Sequence, residues 1–204
     1  MHSRDEARKR LGVERYRRLI LFFGSIKPSK GLDHLIGAFA AVAAADPQAR
    51  LLIAHELRGV DPERCRAQID LLGLEGKVLY RPGYVEPETV PDHFAASDLV
   101  ALSYVRIYQS GVLHLVYRFG KLVVAARIGG FVEDVAEGRS GLLVPPGDEP
   151  ALASAIGGML ASPSRLARVA EQAHQLSQTT YSWDAVGRQT LNFYESLLDG
   201  NRQG

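Results

Sequence analysis

Two lysines in a glycine-bounded loop are the first residues of this chain with the means to do chemistry. Lys27 and Lys30 lie between Gly24 and Gly31, after the apolar run Leu19–Phe23 and before an amphipathic segment that begins at Gly31. A strand, a loop and a helix start, in that order, leave backbone amides free at the helix N-terminus. An ammonium beside those amides makes a site for an anion, and phosphate is the usual one. An ordinary βα turn with two solvated lysines has the same local sequence. A second loop weighs against that plainer reading. Tyr104, Arg106, Tyr108, Gln109, Ser110 and Gly111 follow another apolar run, and Val112 opens another helix. Two helix N-termini and a lysine around one point suit a diphosphate better than a single carboxylate.

The elements that must position these loops alternate along the chain. Short runs rich in Val, Ile, Leu and aromatics predict strands at Leu19–Phe23, Leu51–Ala54, Val78–Arg81, Leu99–Leu102, Leu122–Ala125 and Leu142–Val144. Helices are predicted at Leu32–Ala45, Pro62–Leu72, a broken Glu88–Ala96, Val112–Phe119, Val132–Ala136, Pro150–Ala161, Ser164–Ser177 and Trp183–Leu198. Asp61-Pro62 reads as a helix entry, Gly73 and Gly120 as exits, and Ser3 with Glu6 as a capping box opening a basic helix that stops at Gly12. Strands alternating with helices imply an α/β fold: a doubly wound, mostly parallel Rossmann-like sheet of about six strands, covered on both faces. With the common order 3-2-1-4-5-6 the winding reverses between the first and fourth strands, so the two loops above face each other across the crevice.

Composition narrows the classes further. At 204 residues and 46% hydrophobic, the chain is expected to form a single domain over residues 1–204. A net charge of +1 argues against a nucleic-acid partner, despite the local cluster from Arg4 to Arg18. Cys65 stands alone, no apolar run reaches the ~18 residues that span a bilayer, and no signal peptide is visible. A reducing, cytoplasmic location is therefore expected, with peripheral attachment at a membrane left open. No carboxylate or Cys/His cluster has metal-ligand spacing, so no metal and no resident cofactor are expected. His55, His93 and His114 are scattered and read as structural or solvent-facing. Dinucleotide and Walker fingerprints are absent.

Several segments in order match a known pattern. Phe23-Gly24-Ser25-Ile26 with Lys30-Gly31-Leu32-Asp33 resembles the "V-G-R-L … K-G-h-d" segment of family 4 glycosyltransferases. Tyr80-Arg81-Pro82-Gly83-Tyr84-Val85 resembles the family's strand and loop beside the nucleobase, and Ala96-Ser97-Asp98-Leu99 its "aaDl" segment. Ala126-Arg127-Ile128-Gly129-Gly130 with Glu133 is similar to "s-x-h-G-G-x-x-E". Gly141 to Asp148 is similar to "G-l-l-v-p-p-g-d", and Tyr181-Ser182-Trp183 to "f-s-W". The resemblance implies the C-terminal, donor-binding half of a GT-B enzyme, one that transfers a glycosyl group from a nucleotide-diphosphate sugar with retention and without a metal. The acceptor half is expected to be absent from this chain, so that a separate acceptor-domain polypeptide or a second copy must complete the site. Donor contacts are implied for Gly24, Ser25, Lys27, Lys30, Gly83, Tyr84, Arg106, Gln109, Ser110, Gly111, Val112 and Leu115, with Lys30 and Gln109 as catalytic candidates.

The departures from that pattern are as informative as the matches. Ser25 stands where the family has arginine. The paired glutamates are replaced, by Ile107 and Leu115 in the register counted from Gly120, or by Gln109 and Tyr117 in the register set on Gln109-Ser110-Gly111. Ser103, Leu122 and Val132 occupy common proline positions, and His55 a usual glycine, which reads as relaxed backbone constraint. Two functions stay open: a glycosyltransferase donor domain with weak nucleotide affinity, and an inactive remnant serving as a nucleotide-binding or protein-interaction module. A flavodoxin-like or receiver domain is opposed by the missing acidic cluster and the extended C-terminal helices.

Overall fold

A computed structural model describes residues 3–54, 58–81 and 83–200. His55 and Pro82, singled out above, lie outside the described residues, as do the chain ends 1–2 and 201–204. Six strands form one sheet: β1 (Arg18–Phe23), β2 (Ala49–Ala54), β3 (Val78–Arg81), β4 (Leu99–Leu102), β5 (Leu122–Ala126) and β6 (Gly141–Val144). Their spatial order is β3-β2-β1-β4-β5-β6, with every pairing parallel. This is the doubly wound order, and it sets β1 beside β4 with Ile20 opposite Leu99 and Leu21 opposite Val100. Leu19, Ile20, Leu21, Leu99, Val100, Val123 and Val124 are wholly buried, because helices cover both faces of the sheet.

The helices are α1 (Arg4–Arg10), α2 (Leu32–Ala45), α3 (Pro62–Leu71), α4 (Val90–Ala96), α5 (Gly111–Arg118), α6 (Gly130–Asp134), α7 (Glu149–Leu160), α8 (Pro163–Gln178) and α9 (Trp183–Gly200). One layer packs α2 against α3 and α7. The other packs α1 against α4 and α5 against α8, joined where Phe94 stacks on Phe119 at 4.9 Å. Local chemistry sets the ends. Ser3 and Glu6 complete the capping box of α1, the Asp61 carboxylate accepts from Glu63 N at the entry to α3, and Asp148 accepts from Ala151 N to start α7. Gly73 and Gly120 close their helices with φ of +62° and +58°. The broken helix predicted from Glu88 resolves into a 3-10 turn (Pro87–Thr89) and α4, because Pro87 and Pro91 each suit only the first turn of a helix.

The basic N-terminal cluster serves the fold in part. Arg8 is buried; its guanidinium donates to Ala96 O (2.9 Å) and Tyr16 O (2.6 Å) and pairs with Asp98 (3.1 Å). Burial pulls the Arg8 pKa below its ordinary value, and the Asp98 charge opposes that pull. Asp98 also pairs with Arg4 and accepts from Leu19 N at 2.7 Å, so one carboxylate ties α1, β1 and the start of β4 together.

α9 lies outside this core. Leu191, Phe193, Tyr194, Leu197 and Leu198 are exposed along it, and Trp183 at its start is 90% exposed. Among the described residues, no helix is long and apolar enough to cross a membrane.

Candidate functional site

The loops after β1, β4 and β5 converge at the carboxyl ends of the strands. Residues 103–110 form the middle piece. Its inner side is tied to the first loop: Ser103 Oγ donates to Gly31 O at 2.8 Å, and the amides of Val105 and Arg106 reach Ser29 O at 3.0 and 3.3 Å. Ser103 also points toward Lys30 O at 3.3 Å. A proline at position 103 has no hydroxyl, so the bonds from Ser103 Oγ are particular to the serine found here.

Four glycines let these segments meet. Gly31 has φ +61°, and a methyl group there would run into the Ser103 carbonyl oxygen. Gly129, at φ +49°, meets the Ile107 carbonyl in the same way. Gly24, at φ +102°, leaves only 3.0 Å between a would-be Cβ and Val112 Cγ2. At the start of α6 a methyl on Gly130 would lie 2.9 Å from Gln109 Oε1, while Gly130 N donates to Tyr108 O at 3.1 Å. The second loop is therefore clamped between the first loop and the entry to α6.

Within this cradle the N-terminus of α5 is open. Ser110 precedes it with extended backbone and makes no side-chain cap, and among the described residues the amides of Gly111 and Val112 have no acceptor. Ser110 Oγ and Ser25 Oγ are buried without a completed hydrogen bond. Lys30 Nζ donates to the hydroxyl of Tyr104 at 2.6 Å and sits 3.8 Å from that ring's centre. Tyr104 is fully buried, its ring 5.2 Å from that of Phe131 in α6. Burial, with a smaller push from Lys27, pulls the Lys30 pKa down to about 8. No carboxylate among the described residues pairs with this lysine. A half-buried cation and a free helix N-terminus thus share one corner, and among the described residues no carboxylate pairs with that cation.

Of the residues singled out from sequence, this corner gathers Gly24, Ser25, Lys30, Ser110, Gly111 and Val112, with Gln109 at its α6 side. Lys27 is exposed and lines a separate cleft of ≈ 250 Å³ with Gly59, Asp61, Arg64 and Cys65. Arg106 is exposed on the rim. Gly83, at φ +118°, and the exposed Tyr84 follow β3 at the edge of the sheet. Leu115 points elsewhere: with His114, Tyr181 and Trp183 it lines a groove of ≈ 540 Å³ between α5 and the start of α9. His93 is buried in α4 with Nδ1 2.9 Å from Thr89 O, and His114 meets the edge of the Tyr181 ring. Among the described residues, no group of three or more His, Cys, Asp or Glu side chains could hold a metal ion. Tyr104 was named in the loop but not as a site residue, since nothing in one sequence says which loop tyrosine turns inward.

Residues 17–162 match the family described as glycosyl transferases group 1. The chain belongs to that family. It is 33% identical over 196 residues to the D-inositol 3-phosphate glycosyltransferase of Segniliparus rotundus, covering 95% of this chain and 43% of that protein. With the enzyme of the same name from Rhodococcus erythropolis it shares 32% identity over 208 residues, 99% of this chain and 46% of the relative. The chain thus spans less than half the length of these relatives. Among solved structures, Anabaena Alr3699/HepE in complex with UDP superposes with a TM-score of 0.85 at 27% identity, covering 95% of this chain and 52% of that one. The C-terminal domain of a group 1 family glycosyl transferase (LpcC) from Francisella tularensis shares the fold, with a TM-score of 0.81 at 17% identity over 90% of this chain and 95% of that one. The six-stranded parallel sheet with helices on both faces is the fold of the C-terminal half of the GT-B architecture.

Proposed function

We propose that this chain binds the donor of a glycosyltransferase, a nucleotide-diphosphate sugar, with the diphosphate at the corner where Lys30 meets the α5 N-terminus. The observation that carries the reading is the convergence of a half-buried lysine, without a carboxylate partner among the described residues, and the unpaired amides of Gly111 and Val112. The UDP complex of the Anabaena relative supports the same ligand class. In the transfer step, negative charge grows on the leaving diphosphate. Lys30 and the two amides are already oriented toward that charge and stabilise it without reorganisation. Gln109, held over Gly130, is placed to hydrogen-bond a sugar hydroxyl. Retention, independence from a metal, and the need for an acceptor-binding polypeptide are parts of this proposal carried over from the family resemblance. Gly83 and Tyr84 after β3 are assigned to the base in the same way.

A second reading, nucleotide binding without transfer, is favoured by one observation. In the register counted from Gly120, Leu115 stands where a carboxylate would take the ribose hydroxyls, and it is turned into the groove beside Trp183. Calorimetry with UDP, GDP and ADP, followed by a transfer assay with the matching nucleotide sugars, separates the two.

Lys30→Ala is expected to weaken nucleoside-diphosphate binding by about 1.5–3 kcal/mol, the worth of one charge-assisted hydrogen bond. Lys9→Ala, on the exposed side of α1, should leave it unchanged. Equal affinities for the two variants would remove Lys30 from the site.

A further inference from the structure

Lys30 does not stand free in the cleft as a solvated lysine would. Its ammonium is held by a single side chain, the buried Tyr104, through both the 2.6 Å hydrogen bond and the ring face. Tyr104 is itself fixed. Its ring lies against Phe131, and the loop that carries it is locked to the first loop through Ser103 and Gly31. Burial raises the Tyr104 pKa to about 12, with Ser110 beside the hydroxyl opposing the rise, so the phenol stays neutral at every working pH and serves Lys30 as an acceptor.

We infer that Tyr104 is a positioning residue that holds the Lys30 ammonium at the α5 N-terminus, and that a nucleoside diphosphate binding there draws a proton onto Lys30. The inference rests on the diphosphate reading above. The charged groups around Lys30 support it: Lys27 repels the ammonium, the α5 N-terminus contributes a positive dipole end, and among the described residues no carboxylate pairs with the ammonium. A bound diphosphate supplies the missing counter-charge. The balance is simple: one proton leaves buffer for Lys30 Nζ, and no bond in the ligand changes.

The sign follows from linkage. Free Lys30 titrates at about 8, and the bound anion favours its charged form, so affinity is full below pH 8 and falls as pH rises through it. The terminal phosphate of the ligand titrates near pH 6 and stays charged throughout this window. UDP affinity is therefore expected to fall about tenfold between pH 7 and pH 9, with uptake of about 0.9 proton per nucleotide at pH 9 and about 0.1 at pH 7. Calorimetry in two buffers of different ionisation enthalpy reads both numbers on the wild-type chain. Lys30→Arg, charged at every pH, should bind with no proton uptake and a flat profile. Tyr104→Phe keeps the ring and loses the acceptor, so the midpoint should move down by about one unit, costing little at pH 7 and about tenfold at pH 9. Circular dichroism of each variant checks folding, and the wild-type proton count needs no variant. UDP binding with buffer-independent enthalpy and a flat pH profile would sink the inference and leave the diphosphate reading intact. So would an unmoved midpoint in folded Tyr104→Phe. If UDP, GDP and ADP all fail to bind, both fall.

Discussion

Gly31→Ala is expected to lower stability by about 3 kcal/mol or more and to abolish measurable nucleotide binding, while Gly73→Ala costs only about 1 kcal/mol. The two positions form a controlled pair. Their φ angles are +61° and +62°, so the backbone penalty for an alanine is the same. Around Gly73 nothing lies within 4 Å of a would-be Cβ, whereas at Gly31 the Ser103 carbonyl occupies that space. The added cost at Gly31 therefore measures the contact between the two loops. Ser103 cannot withdraw without breaking its hydroxyl's bond to Gly31 O, and the amides of Val105 and Arg106 would lose Ser29 O next. For a domain of this size, ~3 kcal/mol lowers the melting temperature by about 6–12 °C. Thermal melts and UDP calorimetry on both variants test this, and equal melting temperatures would show that the clamp is not needed.

Asp98→Ala should be the most damaging change far from the site, at about 3–5 kcal/mol by denaturant titration. The carboxylate is the charge paired directly with the buried Arg8 guanidinium, with Asp5 a weaker contributor, and it takes the Leu19 amide as well. Removing it strands a buried cation and an orphan donor at the first residue of the β1–β4 core. Asp98→Asn keeps an acceptor for Leu19 N and should cost less. A loss below 1 kcal/mol for Asp98→Ala would mean that the carbonyls of Tyr16, Arg17 and Ala96 suffice for Arg8.

The architecture was legible in the sequence because burial on both faces gives parallel strands an unbroken apolar signature, as in Leu19–Phe23 and Leu122–Ala125. Helix ends were legible where a residue type has one use, as with Asp61-Pro62, Gly73 and Gly120. From that order alone it followed that the loops after β1 and β4 meet. What could not be read was which side chains turn inward. Tyr104 and Tyr108 are four residues apart in one loop, yet one is fully buried and the other 89% exposed. Leu115 sits one turn beyond the open amides and points into a different groove. Ser103, counted as a lost proline, supplies a hydroxyl whose partner is a carbonyl 72 residues earlier in the chain. Such roles depend on tertiary contacts between distant residues, and a single sequence carries no periodicity that encodes them.

The four-glycine clamp separates what holds a ligand from what chooses it. The amides of Gly111 and Val112 belong to the main chain, and the close approaches that the missing side chains of Gly24, Gly31, Gly129 and Gly130 allow keep them where they are. Side chains at positions 25 and 115 can change without touching either. Selection on such a domain acts on hydrogens, on the absence of a methyl at four points, more strictly than on any functional group. Discrimination between sugars or bases can then wander while the grip on their common phosphates stays, and the same scaffold can be re-addressed to a new donor without first being rebuilt.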